Sequence, residues 1–203
     1  MQISNKVATF ASLNLKKMKK TLTMIVLFLA TLCASAQEPF ELSEVIKAEG
    51  RTADQIYETL QRWVASSWKY PQAVKKYEAG GKEIMIDGSL KFELGGFALM
   101  AYRGFIDYTL DIRVREGRLK VTMTNVRNNK LSSKVRPLGI IYAQDLTKDE
   151  YKNVGMSKME ITYSGYNKAT GKIRELAKEE FTEMISHIKL GLENQKVKEE
   201  EDW

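Results

Sequence analysis

The sequence predicts an α+β domain: an antiparallel sheet with two helices packed on one face. Three observations carry that prediction. Tyr108–Asn125 holds two runs of apolar–polar alternation joined by Glu116-Gly117, the pattern of a β-hairpin with a two-residue loop. Residues 52–68 repeat apolar side chains at helical spacing behind a capping signal. Residues 170–192 do so again over a longer span.

Ahead of the domain, Lys16, Lys17, Lys19 and Lys20 precede the apolar run Leu22–Cys33 and then Ala34-Ser35-Ala36. A basic region, a short apolar run and an A-x-A site have the form of a secretory signal peptide over residues 1–36, cleaved after Ala36. The run is shorter than the roughly 20 apolar residues that span a bilayer, so no transmembrane segment is expected in the mature chain. Met18–Ala36 would suffice as a leader, which leaves Met1 and Met18 as alternative starts. The expected location is periplasmic or extracellular. Lipidation at Cys33 is the alternative to cleavage, but the bulky Leu32 before it fits a lipobox poorly.

Processing changes the charge. The chain has 32 basic and 26 acidic residues, net +6, and residues 1–36 hold five of the lysines and no acid. The mature chain then holds 27 basic against 26 acidic residues, net +1. The only cysteine, Cys33, leaves with the leader, so disulfides and thiol catalysis are excluded from the mature domain.

Along the mature chain, Pro39–Lys47 reads as a first strand, ended by Gly50 and Arg51. Thr52-Ala53-Asp54-Gln55 matches a capping box. Behind it Ile56, Leu60 and Trp63 fall on one helical face, and Pro71 stops the helix. Burial of those three side chains, at about 1.5–3 kcal/mol each, would tie the helix to the sheet. Residues 73–78, 83–86 and 90–94 read as short strands, the last two broken at Asp87-Gly88. Gly95-Gly96 and an aromatic-rich stretch to Phe105 lead into the hairpin. There Arg115 should face Arg118, Val114 Leu119, Ile112 Val121 and Leu110 Met123. A slip of one residue would scatter the apolar set over both faces.

Residues 127–137 read as a polar loop, and the short apolar runs 138–142 and 161–163 have no assigned place. The second helix carries Phe181, Ile185 and Ile188 on its stripe, and residues 193–203, with five acids and two bases, read as a disordered acidic tail. A single domain over 38–192 is expected.

The carrying positions are Val45 and Gly50 before the first helix, Ile56-Tyr57 and Trp63 within it, the segment from Gly80-Gly81 to Gly88-Ser89, and the hairpin around Glu116-Gly117. With this order of elements behind a leader, the sequence resembles a family of secreted bacterial domains of unknown function with a fold like that of the TATA-box-binding protein. The resemblance covers about residues 40–126. It implies a TBP-like architecture and carries no catalytic signature, and one fold hosts unrelated activities.

No phosphate loop, dinucleotide fingerprint, nucleophile elbow or metal-ligand spacing is present, so no cofactor and no metal are expected. His187 is the only histidine and sits beside the apolar stripe of its helix, which reads as a surface residue. Asp107 and Asp111 share a strand face, as a general acid and base would, but among residues expected to be solvated. The aromatic set Trp63, Trp68, Tyr70, Tyr102, Phe105 and Tyr108 reads as core ahead of a ligand pocket. The strongest candidate is basic. Residues 113–136 hold eight basic residues against the single acid Glu116, and Arg113, Arg115, Arg118 and Lys120 share the solvent face of the hairpin. Such a strip suits an anionic polymer, glycan or lipid headgroup. The competing reading is that these charges guard edge strands against aggregation. Nucleic acid fits poorly, because Thr109, Asp111, Thr122 and Thr124 offer no base-stacking surface. The leading functional expectation is a non-enzymatic binding or interaction domain of the bacterial envelope. An envelope hydrolase using scattered Asp and Glu residues is the alternative.

Overall fold

The two strands of the expected hairpin form the centre of a mixed structure, a computed structural model that describes residues 37–67, 74–78, 80–93, 103–130, 137–154 and 161–201. In chain order the elements are strand β1 (Leu42–Lys47), helix α1 (Ala53–Ser67), strands β2 (Val74–Glu78), β3 (Glu83–Phe92), β4 (Gly104–Arg115), β5 (Arg118–Lys130) and β6 (Gly139–Ile140), then helices α2 (Lys148–Asn153) and α3 (Tyr163–Glu201). The chain divides into Met1–Gln37 and the compact unit Glu38–Trp203. The expected leader lies outside the described residues, as do Trp68, Tyr70 and Tyr102.

The sheet is antiparallel, in the order β1-β5-β4-β3-β2, with β6 continuing the β1 side of β5. The hairpin register is the expected one: Arg115 pairs with Arg118, Val114 with Leu119, Ile112 with Val121 and Leu110 with Met123. Its apolar face is buried under α1 and α3, and Ile56, Leu60, Trp63, Phe181, Ile185 and Ile188 all lie in the core with Leu110, Ile112 and Val121. The capping box is present, with the Thr52 hydroxyl accepting from Gln55 N at 3.3 Å and the Gln55 side chain accepting from Thr52 N at 2.9 Å. The hairpin loop also reaches this helix end: a Glu116 carboxylate oxygen accepts from Ala53 N at 3.0 Å, placing negative charge where the helix dipole favours it.

Several expectations need correction. The expected break at Asp87-Gly88 is absent, and β3 runs unbroken from Glu83 to Phe92. Gly88 faces Tyr108 on β4, and a Cβ there would meet the tyrosine ring at 2.2 Å. Glycine marks a close approach inside a strand here and not a turn. The hairpin also does not end at Asn125. A β-bulge at Asn125 (φ 53°) shifts the register opposite Tyr108, and β5 continues to Lys130. The bulge advances the alternation by one, so that Val126 and Asn128 remain on the core face with Met123.

The unplaced run 138–142 supplies β6, with Leu138 and Ile141 buried. Buried Asn128 fastens it, its side-chain oxygen accepting from Leu138 N at 2.9 Å. Helix α2 was not expected, although Thr147 and Glu150 form a capping box. Helix α3 starts at Tyr163 and carries the stretch from Glu193, expected to be disordered, on to Glu201. Extending an already packed helix fixes one residue per hydrogen bond, and Glu, Gln and Lys are good helix formers.

Candidate functional site on the open face of the sheet

No described element covers the other face of the sheet. Its side chains are the alternate residues of each strand, so the sequence that builds the core also builds this surface. The face has two halves of different chemistry.

At the hairpin end, Arg115 lies opposite Arg118, and Lys120 lies between Arg113 on β4 and Val45 on β1. All four predicted cations are exposed and gathered on this one face. The structure separates them into two kinds. Arg113 is ion-paired to Asp111 at 2.9 Å and to Glu83 at 3.0 Å. The hydrogen bond to the Asp111 carboxylate, and the charges of both acids, push the guanidinium above its ordinary pKa. Arg115, Arg118 and Lys120 make no ion pair among the described residues. They line a shallow depression of about 290 Å³ with Val45, which is 56% exposed. Lys47 extends the basic end, lying opposite Arg118. Val45 and Lys47 escape sequence reading because only the long-range pairing of β1 with β5 brings them here.

These charges do not guard an edge. Strands β4 and β5 are interior, with β1 and β3 on their outer sides, so the edge-protection reading of the basic strip fails on topology.

The far half is polar and carries the carboxylates. Asp107 and Asp111 do share this face, as expected, but each is committed. Asp107 accepts from Ser89 Oγ at 2.7 Å and from Asn129 Nδ2 at 3.0 Å, Asp111 is bound to Arg113, and Asp87 accepts from Thr109 Oγ1 at 3.1 Å. Asp87, Ser89, Asp107, Thr109, Asn125 and Arg127 line a second depression, of about 430 Å³. Among the described residues no group of three or more His, Cys, Asp or Glu side chains is arranged to hold a metal ion.

On the helix side a third depression, of about 300 Å³, is lined by Trp63, Ser67, Ser89, Tyr108, Glu180 and His187, among others. His187 is exposed, as expected, and among the described residues it makes no hydrogen bond to either serine. Tyr108 is core, as expected, and its hydroxyl donates to Glu180 at 3.2 Å, whereas Phe105, also expected in the core, lies half-buried on the open face with Asp107 and Thr109. Burial, with the Glu180 charge beside it, pushes this phenol far above its ordinary pKa.

An antiparallel sheet with α1 and α3 on one side, and no described element on the other, defines an α+β domain of TBP-like fold. Residues 43–129 match the model of a family described as a domain of unknown function (DUF4468) with TBP-like fold. Two crystal structures share the fold. A DUF4468 family protein from Bacteroides ovatus superposes with a TM-score of 0.53 at 14% identity, covering 74% of this chain and 86% of that one. A TBP-like protein from Parabacteroides distasonis superposes with a TM-score of 0.51 at 13% identity, covering 77% of this chain and 97% of that one. No curated protein matches the chain.

Proposed function

We propose that the protein is exported to the bacterial envelope and that its 38–192 domain is a non-enzymatic binding module. Its ligand is an anionic polymer, glycan or lipid headgroup, taken on the basic end of the open sheet face. The supporting observation is the set Arg115, Arg118 and Lys120, three cations that make no ion pair among the described residues, on interior strands of a face that no described element covers. Arg113 is the neutralised member and serves as positioning, because its two carboxylate partners hold it across β3 and β4. Commitment of Asp87, Asp107 and Asp111 to hydroxyl, amide and guanidinium donors favours binding over carboxylate hydrolysis. Export rests on the leader-like residues 1–36, and N-terminal sequencing of protein recovered from the periplasm should begin at Gln37.

The binding test is a triple reversal, Arg115→Glu, Arg118→Glu and Lys120→Glu. The unchanged protein should bind polyanionic beads at low salt, with affinity falling steeply as salt rises. The reversed protein should not bind, while its melting temperature changes by no more than about 3–6 °C, because three exposed substitutions at up to about 0.5 kcal/mol each total about 1.5 kcal/mol. Salt-independent binding, or none at low salt, would sink the proposal.

A further inference from the structure

We infer that β5 is the track of an extended anionic polysaccharide, with charged groups held at two separated poles and sugar hydroxyls between them. The inference rests on the anion-binding reading above and adds which polyanion the face is built for.

The first observation is a second pole. Past the bulge at Asn125, Arg127 returns to the open face in register with Asp107. Both oxygens of that carboxylate are taken, by Ser89 and Asn129, and Arg127 makes no ion pair among the described residues. Like Arg118 and Lys120, Arg127 makes no ion pair within 4 Å among the described residues, and it differs from them in facing a carboxylate, Asp107. Lys120 and Arg127 stand seven residues apart on one strand, about 23 Å at roughly 3.3 Å per residue. A compact headgroup would occupy one pole and leave the other unused. A chain carrying anions along its length engages both.

The second observation is what lies between. Thr122 and Thr124 are the intervening open-face residues of β5: Thr122 lies between Ser43 on β1 and Asp111 on β4, the latter held by Arg113, and Thr124 lies opposite Thr109. Each hydroxyl both donates and accepts, which suits a ligand that is itself rich in hydroxyls. A polyphosphate offers acceptors alone. Nucleic acid would need exposed aromatic platforms for its bases; the open-face positions from Thr109 to Thr124 carry none, and Phe105, farther along the same face, is half-buried.

The experiment compares polygalacturonate, a polyuronate, with inorganic polyphosphate of matched charge, poly-uridylate and anionic vesicles, all on the full chain. Three variants are used: Arg118→Glu/Lys120→Glu at the near pole, Arg127→Glu at the far pole, and Thr122→Val/Thr124→Val between the poles, the last isosteric and favoured in strands. Polyuronate should bind most tightly, and the threonine variant should weaken it about three- to tenfold while changing polyphosphate binding less than twofold. Arg127→Glu should weaken polyuronate binding and leave vesicle binding unchanged. If polyphosphate, poly-uridylate or vesicles bind as tightly as polyuronate and the threonine variant is silent, the glycan track is wrong while anion binding stands. If the Arg118→Glu/Lys120→Glu variant still binds every polyanion, the anion-binding reading itself falls.

Discussion

Tyr166 and Ile112 show how differently two fully buried residues can be specified. Ile112 pairs with Ile84 and Val121 and has no exposed surface, and the alternation of its own strand fixes that position. Tyr166 is equally buried, but only the packing of α3 against α2 puts it there, with its ring edge-on to Tyr151 at 5.8 Å. Its hydroxyl finds no partner among the described residues, and burial pushes its pKa up to about 12. Below pH 10 the phenol is protonated in both folded and unfolded chains, so its environment leaves the pH dependence flat. Between about pH 10 and 12 the unfolded chain gives up the proton more readily, so stability falls as pH rises. Tyr166→Phe should therefore leave stability at pH 8 unchanged or raise it by up to about 1–2 kcal/mol, since it removes an unsatisfied buried hydroxyl. It should also flatten the alkaline loss, with Tyr108 supplying what remains. Urea melts at pH 8 and pH 11 measure both. A variant markedly less stable at pH 8 would mean that the hydroxyl has a partner.

At the scale of elements, what was legible is what local pattern encodes. The hairpin register, the capping box before α1 and the apolar stripe of α3 all follow from spacing within one segment. The misreadings within the sheet share one cause, a partner distant in sequence. Asp87-Gly88 carries a turn signature, and only the Tyr108 ring from β4 explains why a strand needs glycine there. Thr124-Asn125 ends the visible alternation, and only pairing past the bulge shows that the strand goes on. The Thr147–Glu150 capping box was the one local signal left unread, in a helix too short to show periodicity. The basic strip was legible in composition, but its meaning was not, because interior and edge strands look alike until the sheet order is known. The Gly88–Tyr108 contact permits a direct test. Gly88→Ala should cost about 1–3 kcal/mol, as overpacking does, and Tyr108→Ala about 3–5 kcal/mol from lost burial. Because the first clash requires the ring, the double variant should be more stable than the sum of the single losses by about 0.5–3 kcal/mol. Additive losses in chemical melts would show that Gly88 is needed for some other reason.

For the whole molecule, the hairpin tip, the start of α1 and the body of α3 meet at Arg51. Its carbonyl accepts from Gly117 N at 3.1 Å, and its buried guanidinium donates to the Leu192 carbonyl at 2.6 Å. The core thus holds α3 as far as Leu192, 5% exposed, although the helix itself runs on to Glu201. Glu193 and Asn194, directly after Leu192, are exposed. Two truncations separate these contributions. Ending the chain at Asn194 keeps Leu192 and the Arg51 contact, and the melting temperature should change by no more than about 2–4 °C. Ending it at Lys189 removes the burial of Leu192, about 1.5–3 kcal/mol, and the acceptor of a buried cation, about 1.5–3 kcal/mol more. That is a large share of the 5–15 kcal/mol that holds an ordinary domain together, and the shorter chain should be partly unfolded at 37 °C. The two effects can be distinguished with Arg51→Met in the shorter chain, which removes the stranded charge and should recover part of the loss. Equal stability of both truncated chains would mean that the tip of the hairpin is held without α3.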